Sequence, residues 1–120
     1  PLQIYGTGQQ RRCFCYVGDL IDAVMNLMNC PQAAGRVYNI GSTEEITIEA
    51  LADKIIGMTG SKSKKEFIPY ETAYGKPIDD MMRRVPSLER IGNTIGWKPV
   101  MGLDDTLKII IKSFREEPAL

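Results

Sequence analysis

The chain of 120 residues predicts a small mixed α/β fold with short strands and about four helices. Three observations predict it. Short β-rich runs alternate with longer segments whose apolar residues recur at helical spacing. Glycine or proline stands at most of the joints between them. Hydrophobic residues make up 43% and charged residues 25%, enough for one hydrophobic core without disulfide or metal staples.

Taken in order, Leu2 to Tyr5 reads as a strand and Gly6-Thr7-Gly8 as a tight turn. Arg12 to Val17 reads as a second extended stretch, and Asp19 as the cap of the helix that follows. That helix carries Leu20, Ala23, Val24, Leu27 and Met28 on one face, and Pro31 and Gly35 end it. Arg36 to Ile40 has the composition of a strand, stopped by Gly41. Thr47 is the expected N-cap of a second helix, with Glu49 near its positive end and Gly60 beyond its last turn. Glu66 to Pro69 then reads as a strand. Strand 36–40, helix and strand 66–69 would together make a parallel crossover unit.

From Tyr70 to Pro86 no period is visible, and Gly75, Pro77, two aspartates and two arginines mark a long binding-type loop. Ser87 is the expected cap of a short helix with Leu88, Ile91 and Ile95 facing inward, broken by Gly96-Trp97-Lys98-Pro99. A last helix runs from about Leu103 to Arg115, with Leu107, Ile110, Ile111 and Phe114 as its stripe. The chain starts in mid-strand and without methionine, so a piece of a longer protein is the expectation.

Composition excludes several classes of function. Fifteen basic residues balance fifteen acidic ones, which argues against a nucleic-acid binder working through bulk charge. Histidine is absent, so no Ser-His-Asp or Cys-His nucleophile can be assembled, and the commonest zinc ligand is missing. Cys13, Cys15 and Cys30 read as small thiols of a reducing cytosol rather than as a metal site. No apolar run has the length of a membrane span. A cytoplasmic protein is expected.

Two arginine-bearing motifs hold the remaining information. One is Tyr5-Gly6-Thr7-Gly8-Gln9-Gln10-Arg11-Arg12-Cys13-Phe14-Cys15-Tyr16-Val17-Gly18-Asp19, and the other is Asp79-Asp80-Met81-Met82-Arg83-Arg84-Val85-Pro86-Ser87. A guanidinium fork suits phosphate or carboxylate, so two forks converging on one ligand would describe an anionic, diphosphate-bearing substrate. Arg11 and Arg12 point to opposite faces of an extended stretch, and only one can enter such a pocket. Gly6-Thr7-Gly8 imitates a dinucleotide-binding fingerprint, but Arg11 replaces its third glycine and no helix opens there. It is either a turn that lets the backbone pass a ligand or a plain hairpin turn. Lys62, Lys64 and Lys65 read as a solvated turn. Tyr5, Tyr16, Tyr70 and Tyr74 can stack on a base or close a core edge.

The stretch from Tyr5 to Asp19 resembles the segment Tyr-Gly-x-Gly-x-Gln-x-Arg-x-Phe-x-Tyr-Val-x-Asp of the extended short-chain dehydrogenase/reductase family, the nucleotide-sugar epimerases, dehydratases and decarboxylases. Val37-Tyr38-Asn39-Ile40-Gly41, the run Asp80 to Pro86, and Gly96-Trp97-Lys98-Pro99 are similar to further landmarks of that family in the same order. The resemblance implies the C-terminal, substrate-binding lobe of a Rossmann-type enzyme that binds NAD(P), with the Rossmann lobe absent. It further implies that Arg12 contacts the substrate phosphates or sugar, that Tyr74 lies by the uracil, and that Arg84 lies near the diphosphate and sugar. Gln10 and Asp80 would hold the binding loops in shape. Gly18 departs from the family pattern, where a polar residue is usual, as does Ser87, where aspartate is common.

In the whole enzyme, the resemblance implies, NAD bound by the other lobe would oxidise a sugar hydroxyl, and epimerisation or loss of a carboxylate would precede re-reduction. The family's chemistry needs tyrosine and lysine four apart. Here Tyr5, Tyr16, Tyr38, Tyr70 and Tyr74 are followed at that distance by Gln9, Leu20, Ser42, Tyr74 and Ile78. The chain alone is therefore expected to be non-catalytic and to hold neither cofactor nor metal. Its expected partners are a nucleotide sugar, with a UDP-sugar first, its own Rossmann lobe, and a second copy in a dimeric parent enzyme. No nucleic acid or membrane is expected. The alternative is a non-catalytic regulatory or RNA-associated binding protein of the same fold.

Overall fold

A computed structural model describes residues 1–76 and 78–116; Pro77, placed in the loop above, lies outside the described residues. In chain order the elements are β1 (Leu2–Tyr5), β2 (Arg11–Cys13), α1 (Val17–Met28), a 3-10 turn (Pro31–Ala33), β3 (Glu45–Thr47), α2 (Ile48–Thr59), β4 (Lys65–Ile68), α3 (Tyr70–Tyr74), α4 (Glu89–Ile95) and α5 (Leu103–Glu116). The mixed α/β expectation holds, with five helices among the described residues rather than four. The extra one is α3, a single turn closed by Gly75 in the left-handed region at φ 69°.

Two compact units divide the described chain. The first comprises Pro1–Arg12 and Glu45–Arg84. In it β1 pairs in parallel with β4, Leu2 opposite Lys65 and Ile4 opposite Phe67. The parallel pair thus joins the chain's first strand to β4 and does not involve residues 36–40, a correction to the crossover expected above. β2 lies beside β3. The N-terminus of α2 is closed by its own chain. Thr47 Oγ1 accepts from Ala50 N at 3.1 Å, while the carbonyls of Gly8 and Gln10 accept from Glu49 N at 2.9 Å and Ile48 N at 3.1 Å. Gly60, left-handed at φ 65°, ends the helix as expected. Thr47→Ala should destabilise the protein by about 1 kcal/mol, read from urea unfolding, with Thr47→Ser close to neutral.

Lys65 is not part of a solvated turn. It sits in β4 and bridges Glu49 at 2.9 Å and Asp53 at 2.8 Å, and its hydrogen bonds to Asp53 and Glu49 raise its pKa. The helix period brings both carboxylates to one side of α2, where the strand passes.

Cys13–Glu44 and the chain from Val85 onward form the second unit. Ala23, Ile91 and Trp97 are its centre, with Leu27, Tyr38, Ile40, Leu88 and Ile95 packed against them. Leu103 and Leu107 are buried along α5, whereas Phe114 at the end of its expected stripe is 79% exposed. Two expected caps are displaced. Tyr16, not Asp19, precedes α1, and Leu88, not Ser87, precedes α4. Asp19 is instead buried, and its Oδ2 accepts from Val100 N and Met101 N, each at 2.9 Å. Residues 36–40 form no strand, because among the described residues none lies beside them to complete a ladder. Their alternation survives: Tyr38 and Ile40 face the core, Val37 and Asn39 face outward.

Candidate functional site

Within the first unit, β1, β2, the start of α2, α3 and residues 78–80 line an open cavity of about 410 Å³. Gln10, Arg12, Tyr74 and Asp80, four of the five residues singled out as substrate-binding, line it together with Tyr5 and Tyr70. Arg84, the fifth, is exposed and is not among the residues that line it. The neighbouring Arg83 forms a two-pronged pair with Glu45, at 2.7 and 2.8 Å. That pair holds the Glu45 carboxyl below its ordinary pKa, chiefly through the hydrogen bond.

A continuous polar chain runs along one side of the cavity. Arg12 Nη2 donates to Asp80 Oδ1 at 2.6 Å, and Tyr70 OH donates to Asp80 Oδ2 at 2.7 Å. Gln10 Nε2 donates to Tyr70 OH at 3.2 Å and to the Tyr5 carbonyl at 2.9 Å. Arg12 Nη1 also donates to the carbonyls of Arg11 and Met81, at 2.7 and 2.8 Å. Arg12 is thereby a clamp. It ties β2 to residues 80–81, and three of its five donors are taken. Its charge is offset by Asp80, so the cavity is not a strong cationic trap. The hydrogen bond to Asp80, then burial, raises the Tyr70 pKa, and the phenol stays a donor.

The opposite side is aromatic. Tyr5 and Tyr74 meet edge to face, ring centroids 5.6 Å apart at 74°, and Tyr70 lies 6.2 Å from Tyr74. Tyr74 is 52% exposed, which leaves part of its ring free for a planar ligand. Tyr16 belongs to the other unit. Its ring lies so close to Gly18 that a Cβ there would meet Tyr16 Cε1 at 2.4 Å. A side chain at that position would require the ring to move.

Tyr70 joins the two sides and was only one of four tyrosines with a candidate role in the sequence. Its signal would have been the ten-residue spacing to Asp80, which has no helical or strand meaning.

The glycine turn leads into β2, and no helix opens directly from it. The α2 amides nearest it are already bonded to Gly8 O, Gln10 O and Thr47 Oγ1, so none is offered to a pyrophosphate. Instead, Gly6 and Gly8 have φ of 74° and 73°, and a Cβ on Gly6 would lie 2.6 Å from the Tyr70 ring. The turn is therefore fitted against cavity residues. For metals, no group of three or more His, Cys, Asp or Glu side chains converges among the described residues. Burial, then Asp19, pushes the Cys15 thiol above its ordinary pKa, the wrong direction for a nucleophile.

The family model described as GDP-mannose 4,6 dehydratase matches residues 1–110. A UDP-N-acetyl-alpha-D-glucosaminuronate decarboxylase of Bacillus cytotoxicus is 33% identical over 115 residues, covering 96% of this chain and 36% of the relative. A UDP-glucuronic acid decarboxylase 1 of Danio rerio is 34% identical over 116 residues, 97% of this chain and 26% of the relative. The chain thus spans about a third or less of these relatives' length. Among solved structures, the UDP-glucose 4-epimerase of Thermotoga maritima superposes with a TM-score of 0.83 at 23% identity, over 96% of this chain and 35% of that one. A UDP-glucuronic acid 4-epimerase of Bacillus cereus, solved with UDP-glucuronic acid and NAD, gives 0.81 at 23% identity, over 97% and 35%. At such identity these two establish the fold alone.

Proposed function

The chain belongs to the GDP-mannose 4,6 dehydratase family, among the extended short-chain dehydrogenases/reductases, and from that premise we propose that it is the nucleotide-sugar-binding lobe of an NAD-dependent UDP-sugar decarboxylase or epimerase. One observation carries the reading: a single cavity gathers Gln10 and Arg12 of the first motif, Asp80 of the second, almost seventy positions on, and Tyr74 of the loop between them. The named relatives' activity on UDP-sugars supports the base and the diphosphate as the features recognised.

In this reading the exposed part of the Tyr74 ring stacks on the base. Arg12 offers its remaining donors to the diphosphate while Asp80 and Met81 O hold it in place, and Arg84 approaches from outside the cavity wall. Gln10 and Tyr70 keep Asp80 oriented and touch no substrate. The lobe's contribution to catalysis is positioning, since binding energy from base and diphosphate fixes the sugar. NAD would be held by a region outside this chain, whose glycine turn does not receive it. Cytoplasmic location and a dimeric parent belong to the same proposal.

Calorimetric titration of the 120-residue chain with UDP-glucuronic acid tests it. Weak saturable binding is expected, stronger than for glucuronic acid alone. Arg12→Met should weaken it about tenfold or more, the scale of one charge-assisted hydrogen bond. Tyr74→Ala should weaken it without moving the thermal midpoint much, since Tyr74 is half exposed. Binding that both variants leave unchanged would place the nucleotide elsewhere.

A further inference from the structure

Among the described residues that line the cavity of the first unit, Arg12 and Asp80 are the two charged ones, and their formal charges cancel. The carboxylate is not a loose counterion. Its Oδ1 accepts from Arg12 Nη2 at 2.6 Å, and its Oδ2 accepts from Tyr70 OH at 2.7 Å. Tyr70 is held in turn. Gln10 Nε2, on a buried residue, donates to its hydroxyl at 3.2 Å, and Gly6 approaches so closely that a Cβ there would lie 2.6 Å from its ring. The Arg12 and Asp80 side chains are 19% and 25% exposed, so solvent screens the pair less than it screens a surface pair. The arginines beside Asp80 in the chain do not restore a positive excess inside the cavity. Arg83 is matched by Glu45 at 2.7 Å, and Arg84 is not among the lining residues.

We infer that Asp80 is a specificity-determining residue, which makes the cavity reject anions that carry no base. A phosphate group that reaches the remaining donors of Arg12 comes close to a fixed carboxylate at the same time. Tyr70 holds that carboxylate from its other oxygen, so it does not swing aside as the ligand enters. Attraction and repulsion then nearly cancel, and like charges brought together in a partly desolvated site cost affinity. Pyrophosphate alone therefore gains little there. A ligand with a planar base gains from stacking what the charges withhold, because the half-exposed ring of Tyr74 lines the same cavity. A built-in like charge discriminates against the wrong ligand without any new contact to the right one. The identity of the admitted ligand rests on the nucleotide reading of the cavity; the exclusion by Asp80 rests on the geometry of the pair.

The test is a phosphorus NMR titration of the 120-residue chain with pyrophosphate and, separately, with UDP. The unaltered chain should bind UDP and give no saturable shift with pyrophosphate. Asp80→Asn removes the charge and keeps an oxygen for Arg12 or Tyr70, and it should raise the affinity for pyrophosphate about tenfold or more. Asp80→Ser serves as a second neutral variant. Adding Arg12→Met should abolish the gain, and Asp80→Glu, which retains the charge, should go on rejecting pyrophosphate. A merely structural role would make the Asn and Glu variants alike, less stable and equally closed to pyrophosphate. Neutral variants that fold, by circular dichroism, and still reject pyrophosphate would overturn the inference, as would a gain that survives Arg12→Met. Pyrophosphate bound by the unaltered chain as tightly as UDP would overturn it with no variant needed. Failure of UDP to bind would instead count against the nucleotide reading, while the response of the neutral variants to pyrophosphate still decides the role of Asp80.

Discussion

Asp19→Ala is expected to destabilise the protein by about 3 kcal/mol. Asp19 is only 8% exposed, and one carboxylate oxygen accepts two backbone amides, Val100 N and Met101 N, both at 2.9 Å. Hydrogen bonds to a charged acceptor contribute roughly 1.5 to 3 kcal/mol each, less for donors that solvent can reach after the change. The same residue's backbone carbonyl accepts from Trp97 Nε1 at 3.2 Å, so losing the carboxylate loosens the loop on which the buried indole sits. Urea unfolding followed by Trp97 fluorescence, the chain's single tryptophan, measures both effects together. Asp19→Asn should recover a good part of the loss, because an amide oxygen can still accept. A loss below about 1 kcal/mol for the alanine variant would mean that water replaces the carboxylate without penalty.

Gly8→Ala should cost about as much, by a different mechanism. Gly8 has φ of 73°, and a Cβ there would lie 3.1 Å from Glu49 Cβ, 3.1 Å from the Phe67 ring and 3.2 Å from Ile4 Cγ2. Left-handed backbone costs an L-residue roughly 1 to 2 kcal/mol, and crowding a packed site adds about 1 to 3. Moving the turn would also draw the Gly8 carbonyl from Glu49 N and uncap the start of α2. Gly35 is the control. Its φ is 71°, but nothing lies within 4 Å of a Cβ there, so Gly35→Ala should lose only the conformational part, about 1 kcal/mol. Equal losses for the two variants, measured side by side in denaturant, would show that crowding at Gly8 relaxes freely.

The failures of sequence reasoning have one cause. Asp19 has the residue type and position of a helix cap, yet it is engaged by amides some eighty residues later, a separation no local rule covers. Lys65 follows two lysines in a polar run and looks solvated; only the parallel pairing of β1 with β4 brings it over Glu49 and Asp53. The face of α1 shows the same limit. Periodicity marks where apolar side chains recur along the helix, but with apolar residues on both sides it cannot say which stripe meets this chain's own core. Residues 36–40 have strand composition, and a strand exists only where a neighbour accepts its hydrogen bonds.

Sequence alone determined the α/β class, the positions of β1, β4, α2 and α5, and the Thr47 and Gly60 ends of α2. Those follow from short-range chemistry: hydrophobic period, capping side chains and glycine at positive φ. The four residues that meet in one cavity are singled out by the family resemblance alone. Tertiary structure alone decided that Arg12 is a clamp neutralised by Asp80, that Tyr70 links the polar and aromatic sides, and that Arg84 stays outside the cavity lining. A side chain's charge and hydrogen-bonding capacity are written in its residue type, but whether they are spent within the protein or kept for a ligand depends on which distant groups folding brings within 3 Å.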